Sequence, residues 1–544
     1  MSISGLFNTA QSGLLASQTA LSVTSNNIAN VNTPSYSKQS VILQIAQPTV
    51  TGSGTIGSGV TVSGITRSYD RFIQAQLMGQ DQSTNRSAAQ DQAWGQIEQV
   101  FNDVQGTGLS AAMADYINAW NDVATDPTGM TQRSVLLQKA SALTTSAQHI
   151  ESSIVQTLDN TNASITGAAK QANTIASAIA QINGQIMQQE AGSGAQTAID
   201  LRDQRDQKLN ELSKLVGFSS YEDPNGSLTV MVGMRTLVSG TGTNQFSTAR
   251  NADGNPDLYL DGMNITGAVQ SGQLGGLIEA RKDIQTNVLT SFRKLIASLT
   301  QQMNIQHQAG YGLDGSTAMD FFNPLQVSTI NNSASANITA TITDPALLTL
   351  DEYAITFDSG GNYSVFNKQS GALVSAPAPY VSGNTISLPG VDVVISGAVT
   401  PADSFVVSTL TTAVSNFGVA LSDPRQVAAS SSPLQLPGNN ANALLMVQLT
   451  DTVQANLGNN TFASYYGSIV STVGVKKQTA ANSLSFDQNL LSALQAKRDS
   501  ISGVSLDEEA ANLIRYQRSY QAAARMITVT DELLQTVLAM GSGL

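Results

Sequence analysis

From Ser505 to about Met540 the chain carries a heptad. Leu513, Tyr520, Ile527 and Leu534 stand seven residues apart, and Tyr516, Ala523, Thr530 and Val537 follow each of them by three. This a/d pattern gives a helix one narrow stripe, which only a second helix can cover. A stripe of the same period lies at the other end. Phe7, Leu14, Leu21 and Ile28 are spaced by seven, with Ile3, Ala10, Ser17, Thr24 and Val31, mostly small, at the complementary position. The two ends are therefore expected to pair as a coiled coil. The expected assembly seam is Phe7, Leu14, Leu21, Ile28, Leu513, Tyr516, Tyr520, Ile527, Leu534 and Val537. Everything else must then be inserted between paired termini.

Local signals mark the limits of both helices. Asn26, Asn27, Asn30 and Asn32 weaken the first, and Thr33-Pro34 stops it, because the residue before proline is pushed out of the α region. Ser505-Leu506-Asp507-Glu508 has the form of a capping box, and Asp507, Glu508 and Glu509 lie where the helix dipole favours negative charge. Gly541-Ser542-Gly543 ends the last helix. The first charged side chain of either sign is Lys38. An uncharged start of that length is a segment that packs against something.

Between the ends, helical and strand periods alternate in blocks. Tyr36 to Ile65 is extended. Within it Gly52-Ser53-Gly54-Thr55-Ile56-Gly57 matches a dinucleotide-binding fingerprint by letter, but strand-like Val60-Thr61-Val62 follows where a helix should begin, so a hairpin tip is expected. Tyr69 to about Gly217 is helical, with a break at Asp126-Pro127 and Gly129. Met130 to about Gln189 is a proline-free run of rod length. Gly192-Ser193-Gly194 is a turn before a shorter helix. Tyr221 to Gly267 switches to strands, Leu274 to Gln308 is helical again, and residues 325–420 alternate in short runs as an all-β block does. A helical pattern resumes at about Asn440 and runs to Ile501. The expected class is mainly α with β. Its domains are 1–65 with 500–544 (terminal coiled coil and extended segment), 66–325 with 421–499 (helical rod, with a small β part at 218–270) and 326–420 (β-rich outer domain).

Composition narrows the chemistry. The chain has 544 residues, a formal net charge of −13 and no cysteine. The acidic balance argues against nucleic acid as a partner. Absence of cysteine excludes disulfides and thiolate metal sites. No apolar run is long enough to span a membrane, and the N-terminus lacks the basic start of a secretory signal. The two histidines, His149 and His307, lie far apart and are expected on polar helix faces. Asp200, Asp203 and Asp206, interleaved with Arg202 and Arg205, could hold a metal, but a solvated mixed-charge helix face is the stronger expectation. Helix capping accounts for Asp507-Glu508-Glu509. Arg515, Arg518 and Arg525 fit a solvated flank or subunit contacts better than an anion site. No catalytic residue, cofactor or metal is expected, and the chain is expected not to be an enzyme.

The residues also carry a resemblance. Asn26-Asn27-Ile28-Ala29-Asn30-Val31-Asn32-Thr33-Pro34-Ser35-Tyr36-Ser37-Lys38-Gln39 resembles the N-terminal signature of bacterial flagellar rod, hook and hook-associated proteins. Ser505-Leu506-Asp507-Glu508-Glu509-Ala510-Ala511-Asn512-Leu513-Ile514, with Tyr516-Gln517 and Tyr520 to Arg525, resembles their C-terminal signature. Asp200 to Asp206 with Leu212-Ser213, Met303-Asn304 with His307, Gly310 and Gly312, and Ser500 to Gly503 narrow this to the hook-associated branch at the hook–filament junction. One departure is Pro34-Ser35, where that family usually has Pro-Gly before the tyrosine. The resemblance implies a secreted structural subunit that joins hook to filament in a tubular zone. It would leave the cell unfolded through the flagellar export apparatus. Its implied partners are identical subunits, hook protein, the next junction protein and an export chaperone at the C-terminal helix, with neither nucleic acid nor membrane. The alternatives are another axial protein, such as hook protein, and, remotely, a cell-wall-active enzyme drawing on Asp392 and Asp403.

Overall fold

A computed structural model describes residues 3–51, 54–102, 108–191 and 197–541. The chain opens with α1 (Ile3–Ala29), which ends within the asparagine-rich stretch. An antiparallel ribbon follows, β1 (Gln39–Ile45) with β4 (Val60–Arg67), capped by the short pair β2 (Thr49–Thr51) and β3 (Gly54–Ile56). The expected tip falls there, although Gly52 and Ser53 lie outside the described residues. The ribbon lies against α1. Gly59 adopts φ +95°, a Cβ there would fall 2.1 Å from Ser12 Oγ, and Ser12 Oγ accepts from the Val60 N–H at 3.2 Å. Glycine is needed on both counts.

The helical body begins with α2 (Arg71–Val100), capped by Asp70, whose carboxylate accepts from the N–H groups of Phe72 and Ile73. After α3 (Leu109–Thr125) and the Asp126-Pro127 break, α4 (Met130–Glu190) runs unbroken for 61 residues, about 90 Å of helix at 1.5 Å per residue. The turn expected at Gly192-Ser193-Gly194 lies outside the described residues, and α5 (Ile199–Leu215) follows it. A four-stranded sheet comes next, with β5 (Ser219–Glu222), β6 (Leu228–Val232), β7 (Arg235–Ser239) and β8 (Gly242–Thr243) in sequential order. A three-stranded meander of β9 (Phe246–Arg250), β10 (Pro256–Leu260) and β11 (Met263–Asn264) completes this β part. Then α6 (Gly272–Asp283) and α7 (Thr290–Gln308) are joined through a single π-helical stretch, Ile284–Leu289.

The β-rich block makes two antiparallel sheets around a core of its own, built from residues such as Ile355, Val393, Ile395 and Phe405. Its strands are β12 (Ser328–Asn331), β13 (Ala336–Ile342), β14 (Glu352–Phe357), β15 (Asn362–Asn367), β16 (Leu373–Pro379), β17 (Thr385–Leu388), β18 (Val391–Gly397) and β19 (Ser404–Ser408). One sheet has the order β12-β19-β14-β15-β16 and the other β13-β18-β17. The chain then returns through α8 (Ala441–Gln448), α9 (Phe462–Ser502) and α10 (Leu506–Gly541). Ser542 and Gly543, expected to end the last helix, lie outside the described residues.

The helical run expected from Asn440 to Ile501 is interrupted. Gly458 and Asn459 both take left-handed φ, +63° and +60°, which turns the chain between α8 and α9. Thr461 then caps α9 by accepting from the Ser464 N–H at 3.2 Å. The outgoing and returning halves pair in antiparallel fashion. Asp487 of α9 accepts from Gln80 and Ser87 of α2, and Lys477 pairs with Asp91. Farther along, Gly13 of α1 faces Ala523 of α10, and Asn27 faces Glu509. The two termini therefore run as one helix pair leading out of the body.

His307 is buried in α7, contrary to the expectation of a polar helix face, whereas His149 is exposed. The His307 Nδ1 lies 2.6 Å from the Met319 carbonyl oxygen, and its Nε2 accepts from the Ala428 N–H at 3.0 Å. That bonding needs the neutral ring protonated on Nδ1. Burial lowers its pKa from 6.5 to about 4. A depressed pKa of this kind gives stability that is complete above pH 6.5 and is lost as pH falls toward 4. The size is about 3 kcal/mol. Urea unfolding of the chain between pH 7 and pH 4.5 is expected to show that loss, and His307→Gln to flatten it. Parallel pH profiles for the two chains would rule the assignment out.

The candidate assembly joint

Both terminal signatures and the Asp200–Asp206 stretch meet where the helix pair leaves the body. Asn27, on the last turn of α1, is fully buried and uses its whole amide. Its Oδ1 accepts from the Gln39 N–H at 3.0 Å and from the Tyr36 hydroxyl at 2.8 Å. Its Nδ2 donates to the Gln39 carbonyl at 2.9 Å and to Glu509 Oε2 at 3.1 Å. One side chain thus ties α1, the loop after it, the first ribbon strand and the first turn of α10. Buried amides are stable only when satisfied in this way.

Glu509 is as buried as Asn27, at 1% exposure. Capping alone does not account for it. Lys38, the first charge in the chain, closes over it, with Nζ 2.7 Å from Glu508 Oε2 and 3.7 Å from Glu509 Oε1. The Glu508 carboxylate is thereby held below its usual range. The Lys38 N–H donates to the Ser502 carbonyl at 2.9 Å, fixing the end of α9 to the same loop.

α5 supplies the floor. Its Asp200, Asp203, Asp206 and Asn210 face the joint, at the three- and four-residue spacing that places side chains on one helical face. Asp200 accepts from Gln39 Nε2 at 2.8 Å. Arg67, at the end of β4, bridges Asp203 at 2.6 Å and Asp206 at 2.9 Å, and its guanidinium stacks 4.0 Å from the Tyr69 ring centroid. The other side of α5 points into the body. Arg202 is held by Glu190 and Glu222, and Arg205 reaches Glu222, Asn183 Oδ1 and the Gly226 carbonyl. The expectation of a solvated mixed-charge face is therefore corrected. Arg202, Asp203, Arg205 and Asp206 are all buried, and their partners come from distant segments instead of from i,i+4 neighbours. Burial pushes Asp203 up to about 6 and raises Asp206, with Arg67 pulling both the other way. Among the described residues, no group of three or more potential ligands is arranged to hold a metal ion.

Ser35 explains its own departure. It sits at φ +64°, the left-handed conformation that favours glycine, at a cost of roughly 1–2 kcal/mol for a side-chain-bearing residue. Its hydroxyl accepts from Asn210 Nδ2 at 3.1 Å, and Gln74 donates to the same asparagine at 2.9 Å. A glycine would relieve the strain and forfeit that tie to α5.

The expected seam residues lie around the helix pair as follows. Small side chains occupy its centre, with Ala10, Ala20 and Thr24 of α1, and Ala523 and Thr530 of α10, buried. Leu14, Leu21, Ile28, Leu513, Tyr516 and Ile527 flank them half-buried, and Phe7, Tyr520, Leu534 and Val537 are exposed. Small central residues let the backbones approach, which leaves the large ones at the margins. Sequence reasoning does not single out Asn27, Arg67 or Glu509 as site residues. A buried asparagine or glutamate has no period to betray it, and Arg67 stands alone in the sequence. Asp392 and Asp403 form separate local contacts, with Ser387 and Thr400. Arg515, Arg518 and Arg525 are exposed.

Four family models match the chain. They are a flagella basal body rod protein model over residues 7–36, the flagellar hook-associated protein FlgK helical domain over 94–322, a hook-associated protein 1 D2-like domain over 327–409, and the C-terminal model of the flagellar basal body rod FlgEFG proteins over 495–540. Flagellar hook-associated protein 1 of Salmonella typhimurium is 30% identical over 560 residues, covering 98% of this chain and all of that one. Those of Escherichia coli and Bacillus subtilis are 27% and 26% identical, each over 98% of this chain. The solved flagellar hook junction protein FlgK of Burkholderia pseudomallei shares the fold, with a TM-score of 0.68 at 18% identity over 78% of this chain and all of that one. End-to-end identity at this level, with both terminal signatures folded into one joint, shows that the chain belongs to the flagellar hook-associated protein 1 family.

Proposed function

We propose that the chain works at the hook–filament junction as a structural subunit, incorporated through its α1–α10 pair. Membership of the family makes it a flagellar axial protein that joins hook to filament, outside the cell. The observation that carries the finer reading is the joint. Asn27, Lys38 and Glu509 lock the two terminal signatures to each other, and Ser35, Ser37, Gln39 and Arg67 tie them to α5 of the body, so the orientation of the helix pair is set largely by residues that define the family resemblance. A pair held at a fixed angle can enter a tube of identical pairs, while the β-rich block projects from the body.

On this reading the neighbours are hook protein on one side and the next junction protein on the other. Export proceeds unfolded through the flagellar channel. An export chaperone covers the apolar end of α10, where Leu533, Leu534, Val537, Leu538 and Met540 are exposed. No catalytic step and no cofactor belong to it. Among the described residues no helix is long and apolar enough to cross a membrane.

The test is a strain lacking this chain. Intact hooks without filaments, with filament protein shed into the medium, are expected. Normal filaments on that strain would refute the proposal.

A further inference from the structure

The β-rich block hangs from the body by one root. The chain enters it at β12 and leaves at β19, and these strands lie side by side, with Ser328 opposite Ser408. At the root, Ala297 of α7 is fully buried in the core of the block. Gln301 donates to the carbonyls of Pro345 and Leu348 at 2.6 and 3.2 Å, and Lys294 pairs with Asp351 at 3.0 Å. Away from the root, a cleft of about 360 Å³ lies between block and body. Gln285 and Thr286 of the π-helical stretch line it on the body side, and Glu352 and Lys368 on the block side.

Two side chains span the cleft. Lys368 Nζ, in the β15–β16 turn, lies 2.6 Å from Asp253 Oδ1, in the β9–β10 turn, and Gln369 Nε2 donates to the Thr286 carbonyl at 3.4 Å. Lys368 is the sole lysine or arginine between Lys294 and Arg425, so the block has one cation with which to hold the body. An acid of its own is close at hand. Glu352 is on the neighbouring strand, and its carbonyl accepts from the Lys368 N–H at 2.8 Å. The ammonium nevertheless pairs across the cleft. Asp253 stands on a fixed platform, because Asn255 of the same turn is tied to Asn162 of α4 at 3.2 Å and to Gln285 at 2.7 Å.

The Lys368 and Asp253 side chains are 30% and 32% exposed, so water and salt reach the pair. Such a pair is weak and readily screened. The root also rests on buried Ala297 and on uncharged hydrogen bonds, and apolar burial does not depend on charge. Loss of the Lys368 pair therefore leaves the block attached and frees one motion, a rock about the root that widens the cleft. We propose that Lys368 is the positioning residue of the β-rich block: a latch that holds it down on Asp253 and lets it swing away when the pair is lost or screened. This is a property of the single chain, independent of what the chain joins.

The absence of native cysteine makes the test direct. Ser247→Cys on β9 and Val374→Cys on β16, both at exposed positions, carry nitroxide labels in the full chain, and pulsed electron paramagnetic resonance reads their separation. One narrow distance is expected at low salt. Raising sodium chloride from about 0.01 M to about 1 M cuts the screening length from about 30 Å to about 3 Å, and a longer-distance population is expected to grow. Lys368→Glu, which sets one carboxylate on another, is expected to make that population dominant already at low salt. The exchange Asp253→Lys/Lys368→Glu is expected to restore the single narrow distance. A merely structural role of either residue would not allow that rescue, and the rescue also shows that the opened variant is not misfolded. An unchanged distance in Lys368→Glu, an exchange that stays open, or a parent distance indifferent to salt would each overturn the proposal.

Discussion

Arg67→Ala is expected to destabilise the chain by about 3–5 kcal/mol at neutral pH. Arg67 is the cation that bridges Asp203 and Asp206, and both carboxylates are buried on α5. Removing one partner of a buried ion cluster costs more than the pair contributes, because the remaining charge cannot be hydrated. The variant should lower the urea midpoint and also loosen the joint, since Asp203 Oδ2 accepts from the Ser37 N–H and Asp200 holds Gln39. The sign of the pH dependence separates this cause from lost packing. Asp203 already titrates near 6 in the folded chain. A carboxyl with a raised pKa opposes folding above that pKa and ceases to do so when protonated. Without Arg67 both carboxyls rise further, so the defect should be full at pH 7.5 and shrink by pH 5. Comparison with the parent chain at each pH cancels the His307 effect. A defect that is the same at both pH values would assign Arg67 a packing role through its stack on Tyr69.

This joint is the least legible part of the molecule. The period of Leu513, Tyr520 and Ile527 announces a helix and its need for a partner, because periodicity is a local property. The rod of α4 follows from a proline-free run, and the β-rich block follows from alternation such as Ile338 to Ile342. Burial of charge is different. Asp203 and Arg205 have the spacing of an exposed salt-bridged helix, and only the approach of Arg67, Glu190 and Glu222 from elsewhere decides their environment. The same holds for Glu509, which sits in a good capping position and is nevertheless an interior residue. The helix pair shows an intermediate case. The heptad is visible on both helices, but which of two stripes faces inward depends on how closely the backbones approach. The small set, Ala10, Ala20 and Ala523, occupies the centre. The turn at Gly458-Asn459 escapes sequence reasoning for a simpler reason: the residues on both sides keep a helical period across it.

Ala20→Asp is expected to abolish incorporation into flagella while leaving the helical body folded. Ala20 lies at the centre of the α1–α10 contact, at 1% exposure. The register set by Gly13 with Ala523 and Asn27 with Glu509 places it opposite Tyr516. No basic side chain exists on α1, and Arg515, Arg518 and Arg525 point away from the contact, so a carboxylate there has no counter-ion. Burying it costs several kcal/mol, and a two-helix pair whose core is alanine, threonine and glycine cannot offset that. The pair opens instead. Trypsin reports the opening in the purified chain, since α10 carries its three arginines on an otherwise protected helix. Cleavage at Arg515, Arg518 and Arg525 should accelerate at least tenfold, and the thermal transition of the body should hold. Gln18→Asp, at an exposed position on the same helix, adds the same charge without burying it and should leave cleavage at the parent rate. If Ala20→Asp assembles normally, the helix pair is not the element that enters the tube. If Gln18→Asp opens the pair equally, the effect belongs to charge on α1 in general and the packed centre is not its cause.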